Sequence, residues 1–186
     1  MIRKNMFFVI CIVIVLTLTS CSSVDCSYTD SEYYQLCLDE IYESEKYMPA
    51  LDELGDYESI LINYHPVKNR FFATTESLAV ALTYSSEDYV VQKGEILSRY
   101  NFLQSTTEQI TDVTAEIEGI RFNIVKCIDC TDDSCDHFVN EYSFMTIGID
   151  DANSRIIYLF HIDIEVHSIE NLDIFIEQSF YLKGII

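Results

Sequence analysis

Three cysteines and a histidine fall close together in Cys127-x2-Cys130-x4-Cys135-x-His137. Thiolate and imidazole are preferred zinc ligands, and four of them can close a tetrahedron. The spacing is unusual, because all four lie in one short loop rather than on two separated knuckles. Asp129, Asp132, Asp133 and Asp136 add negative charge that favours a cation, although their oxygens suit harder metals. The cysteines have two other uses. In an oxidising compartment two of the three can pair and tie the loop, with Cys26 and Cys37 as a further candidate pair. In an anaerobic habitat all five stay reduced. A redox Cys-x-x-Cys role is disfavoured, since that chemistry wants its first cysteine at a helix N-terminus and Cys127 ends a strand-like run.

A second constellation is His161-Ile162-Asp163-Ile164-Glu165-Val166-His167. On a strand, His161, Asp163, Glu165 and His167 share one face. Side chains so placed can share a metal, and two carboxylates suit acid–base work. The plainer expectation is that Ile162, Ile164 and Val166 face the core and the polar four face water. Tyr28, Tyr33, Tyr34, Tyr42 and Tyr47 form a third group. Such a face stacks ligands or, more commonly, packs with its hydroxyls reaching water. No G-x-S-x-G, H-E-x-x-H, P-loop, Rossmann glycine pattern or EF-hand loop occurs.

The elements that position these groups follow from periodicity. Thr29-x-x-Glu32 fits a capping box. The helix it opens carries Tyr34, Cys37, Leu38, Ile41 and Met48 near one face and stops at Pro49. Residues 58–66 alternate as a strand with Ile60, Ile62 and Tyr64 on one side. Residues 78–84 follow, with Leu78, Val80, Leu82 and Tyr84 opposite Ala79, Ala81 and Thr83. Ser85 or Ser86 caps a second helix bearing Tyr89, Ile96, Leu97 and Tyr100, weakened by Gly94. The Thr/Ser/Glu-rich stretch 104–118 is the best candidate for a mobile loop. Ile120, Phe122 and Ile124 mark a strand, as do Met145, Ile147 and Ile149. The turn-rich Asp150–Ser154 predicts a hairpin into a strand from Ile156 to Val166. Ser168 caps a last helix whose Leu172, Phe175, Ile176 and Phe180 face inward. The order predicts one α+β domain: a mostly antiparallel sheet of about five or six strands with helices packed on one face.

Thirty-one acidic residues against eleven Lys and Arg give a net charge of −20. That balance argues against nucleic acid, which needs clustered cations, and against electrostatic adhesion to anionic lipid. It favours a cationic ligand or simply a soluble, self-repelling surface. The many Tyr and Phe residues exclude a disordered acidic tail.

The N-terminus supplies an address. A basic start with Arg3 and Lys4 precedes the apolar run Met6–Leu18, which is too short to span a bilayer comfortably. Leu18-Thr19-Ser20-Cys21 then resembles the lipobox of bacterial lipoproteins. The resemblance implies a thioether-linked diacylglycerol on Cys21 and cleavage just before it. Two acyl chains make attachment stable where one is marginal. The segments MPALDELGDYESI and NLDIFIEQSF resemble small uncharacterised lipoproteins of anaerobic Gram-positive bacteria, which implies no activity. The expected organisation is a signal at 1–20, a lipidated tether at 21–28 and a domain over 29–186. The expected function is non-enzymatic binding or interaction at the extracytoplasmic face of the cell membrane, with a cationic ligand or an envelope protein as partner. The rivals are zinc binding by Cys127, Cys130, Cys135 and His137, and a hydrolase using Asp163 and Glu165. No cofactor is expected, unless that Cys/His cluster binds zinc.

Overall fold

Two runs, Leu78–Leu82 and Ile156–Phe160, are apolar at every position, whereas their neighbours alternate. A strand buried on both faces needs the first pattern, and a strand with one wet face the second. The computed structural model, which describes residues 26–41, 47–66, 75–104, 113–125, 143–163, 172, 173, 176 and 185, follows that distinction.

Among the described residues seven strands form one antiparallel sheet: β1 (Cys26–Tyr28), β2 (Ser59–His65), β3 (Thr75–Thr83), β4 (Thr114–Ile117), β5 (Ile120–Val125), β6 (Ser143–Asp150) and β7 (Arg155–Asp163). Their order across the sheet is β1-β2-β3-β7-β6-β5-β4. The doubly apolar strands β3 and β7 lie side by side in the middle, with Leu78 opposite Phe160 and Leu82 opposite Ile156. The sequence expectation of an α+β domain with an antiparallel sheet holds. The strands beyond the expected count are short. Cys26–Tyr28, expected as tether, pairs with Ile62–Tyr64. Thr114–Ile117, expected within a mobile loop, pairs with Ile120–Asn123. That second hairpin turns through Glu118 and Gly119, with φ of 50° and 82°. A two-residue turn with both φ positive matches the twist of the flanking strands, and glycine adopts such angles without strain.

Among the described residues two α-helices, packed in the first core cluster, lie on one face of the sheet. In α1 (Ser31–Glu40) the N-cap is Asp30, whose carboxylate accepts from the Glu32 amide at 2.9 Å. The cap is thus one residue beyond the predicted Thr29. The helix ends at Glu40, well before Pro49, because Ile41 is extended. In α2 (Ser86–Arg99) the Ser85 hydroxyl caps the Asp88 amide. Tyr34, Cys37 and Leu38 of α1 and Tyr89 and Ile96 of α2 pack on Ile60, Ile62, Leu78, Val80, Met145 and Tyr158. Leu97 of α2 is 55% exposed.

The tyrosines of this core are not turned to water. The Tyr34, Tyr84 and Tyr100 hydroxyls donate to the carbonyls of Pro49, Leu54 and Tyr47 at 2.6, 2.8 and 3.2 Å. These bonds satisfy carbonyls of the segment 47–54 and tie it to the core. The opposite face holds a second cluster, with Ala79, Ala81, Phe122, Ile124, Ile157 and Leu159 under Leu172, Ile176 and Ile185. Leu172 and Ile176 therefore face inward as predicted; Ser168, Phe175 and Phe180 lie outside the described residues.

Candidate functional site

The two constellations singled out by residue type fare differently. Cys127, Cys130, Cys135 and His137 lie outside the described residues, in the connection from β5 to β6. The ends of that connection are held in register by Val125 opposite Met145. Cys21, Glu165 and His167 also lie outside the described residues, and Asp163 is the last residue of β7. Among the described residues no group of three or more His, Cys, Asp or Glu is placed to hold a metal ion. Nor is any described helix long and apolar enough to cross a membrane. Cys37 is a free thiol rather than half of a disulfide with Cys26. Burial pushes it up to about 12, out of the reactive range.

His161 corrects the expected water-facing strand. It is 1% exposed, on the face covered by Leu172 and Ile176. The physical reason is its place on β7, a central strand whose two faces are both covered. His161 stands opposite Ser77, which stands opposite His65, so the three form one row across the sheet. Burial, helped by His65, pushes the imidazole down to about 3, so it is neutral at neutral pH. The Ser77 and Thr146 hydroxyls on the same face are buried with no hydrogen-bond partner among the described residues.

A concave feature lies elsewhere, at the β4 end of the first face. There α2 does not cover the sheet, leaving a cleft of about 820 Å3. Its floor is made by alternation. Glu116 of β4 stands opposite Arg121 of β5, Arg121 opposite Ile149 of β6, and Thr114 opposite Asn123. Directly opposed residues share a face, so these polar groups lie on the α2 side of strands whose other side is Ala115, Ile117, Phe122 and Ile124. The walls are Lys93 and Leu97 of α2 and the segment Phe102–Gln104, which is bridged to β5 through Phe102 and Val125. The β6–β7 turn closes one end with Asp151 and Ala152.

That turn is rigidly built. Asp150 accepts from the Asn153 amide at 3.1 Å and from the Arg155 guanidinium at 2.9 Å. Burial alone would raise its carboxyl, but the bonds from Asn153 and Arg155 outweigh burial and hold it below the ordinary range. The neighbouring Asp151 accepts from Lys93 and from the Tyr89 hydroxyl, and these bonds lower its carboxyl. Three of the four described Lys and Arg residues are thus held by carboxylates: Lys93 by Asp151, Arg99 by Glu53 and Arg155 by Asp150. Arg121 is the exception, and neither its side chain nor that of Glu116 takes part in a hydrogen bond or ion pair among the described residues.

Sequence reasoning missed this site. Its signal was present in the polar alternation Thr114, Glu116 and Arg121, Asn123 around the Glu118-Gly119 turn. The acidic, Thr-rich composition of 104–118 masked it. Comparison of the chain with protein families, with curated proteins and with solved structures finds no match to any of them.

Proposed function

We propose that the chain is a lipoprotein held at the extracytoplasmic face of the cell membrane through Cys21, and that its folded domain binds an envelope ligand without transforming it. The ligand site is the cleft between α2 and the β4–β6 end of the sheet. The observation that carries this reading is Arg121, a guanidinium without a partner among the described residues, on the floor of a cleft in a chain of net charge −20. Such a volume is typical of small-molecule sites, which combine an apolar lining with a few oriented polar groups. Leu97, Phe102 and Ile149 supply the apolar part.

Native mass spectrometry of the full-length gene product extracted from membranes tests both halves. The expected species begins at Cys21, carries the mass of a diacylglycerol, and retains a small molecule that is lost in Arg121→Gln. A species with the lipid and no retained mass, unchanged after exposure to a small-molecule extract of the envelope, contradicts the binding half. A chain that keeps residues 1–20 contradicts the anchoring half.

A further inference from the structure

We infer that the cleft takes a zwitterion with an apolar body, an α-amino acid, with its carboxylate on Arg121 and its ammonium on Glu116. This rests on the reading of the cleft as a ligand site and names the ligand class.

Arg121 and Glu116 are direct cross-strand partners on one face. Opposed Cβ atoms lie roughly 4.5–5.5 Å apart, close enough for the two side chains to meet. Among the described residues no ion pair joins their side chains, and neither side chain has another partner. The floor therefore presents an open guanidinium fork beside an open carboxylate. Arginine donates in a planar fork that matches a carboxylate. Glu116 accepts from an ammonium. An anion lacking an ammonium would place a second negative group against Glu116, and a cation lacking a carboxylate would crowd Arg121. Like charges brought together in this way reject the wrong ligand.

Net charge supports the same choice. A chain at −20 repels free anions and attracts any cation without selectivity. A neutral zwitterion escapes both effects and is selected at short range. Lys93 does not compete for the carboxylate, because Asp151 holds it at the rim. Leu97, Phe102 and Ile149 lie against the floor and receive an apolar side chain.

The protein contains no tryptophan, and Leu97 is 55% exposed on the cleft wall. Leu97→Trp in the full chain, held in detergent micelles, gives a single fluorophore there. The probes are L-leucine, N-acetyl-L-leucine and L-leucinamide. L-Leucine is expected to give a saturable change, with both blocked forms binding about tenfold more weakly or worse. Arg121→Gln and Glu116→Gln are each expected to weaken L-leucine by a similar factor, as loss of a hydrogen bond to a charged group does. Calorimetry on the unsubstituted chain repeats the comparison independently of the reporter. Blocked forms that bind as tightly as L-leucine overturn the inference and leave the cleft a ligand site of another class. Silence towards all three, by fluorescence and by calorimetry on a folded chain, also overturns it; the retained mass in the membrane-extracted protein then judges the cleft separately.

Discussion

Adding one methyl group at Gly148 is expected to destabilise the fold, while the same addition at Gly94 stabilises it. Gly148 sits on β6 directly opposite Phe122 of β5. A Cβ built there falls 2.6 Å from Phe122 Cε1, 2.9 Å from Cζ and 3.0 Å from Cδ1. Phe122 is wholly buried, so its ring cannot swing into solvent to make room. Overpacking of this kind costs about 1–3 kcal/mol. Removing glycine's unfolded-state freedom returns about 0.4–1 kcal/mol. The net expectation for Gly148→Ala is a loss of about 1–2 kcal/mol. Gly94 lies in the exposed interior of α2, where an added Cβ meets nothing within 4 Å. Gly94→Ala is therefore expected to gain up to about 1 kcal/mol. Urea denaturation followed by ellipticity reads both as midpoint shifts in opposite directions with unchanged slope. Gly148→Ala combined with Phe122→Leu should recover part of the loss, since the smaller side chain makes room for the methyl. A Gly148→Ala midpoint at or above the parent's would refute the packing of β5 on β6.

Three further outcomes follow from the buried groups and the loop cysteines. The His161 imidazole is pushed down to about 3 in the fold, against about 6.5 when unfolded. Between those values the unfolded chain binds the extra proton, so stability is full above pH 6.5 and falls as pH drops towards 3. The contribution approaches about 1.4 kcal/mol per pH unit in that window. His161→Leu should flatten the dependence between pH 6 and 4, and an unchanged slope would mean that the imidazole is solvated. Native Cys37 should resist iodoacetamide at pH 8 and label fully only in denaturant, because its thiol is buried and its pKa raised; rapid native labelling at that residue counts against the α1 packing. For the loop cluster, anaerobic purification with zinc present should give one zinc per chain, absent in Cys130→Ser, if Cys127, Cys130, Cys135 and His137 form a site. A folded, metal-free chain under those conditions dismisses it.

Long alternation was legible because it spans enough positions to be read. Ile60-Ile62-Tyr64, Leu78-Val80-Leu82 and Met145-Ile147-Ile149 each settle on one face of the sheet. The hairpin at Asp150–Ser154 was legible through its turn residues, and α2 through its Ser cap. The edge strands β1 and β4 were not, since three or four residues give no period and their pairing depends on neighbours distant in sequence. His161 was misjudged because alternation with Ile162 suggests one wet face. Only the tertiary placement of Leu172 and Ile176 shows that face to be covered. The cleft was illegible as a site because Leu97, Glu116, Arg121 and Ile149 come from four separate elements. Register brings Arg121 between Glu116 and Ile149, and no local pattern encodes that meeting.

The most direct test of a ligand site at the β4 end of the sheet is amide hydrogen exchange on the membrane-extracted chain, with and without a small-molecule extract of the envelope. A ligand in the cleft slows exchange in segments 97–104, 114–123 and 149–152 and leaves β1 and β2 unchanged. No slowing in those segments, or slowing confined to the β1–β2 end, would contradict binding at the cleft.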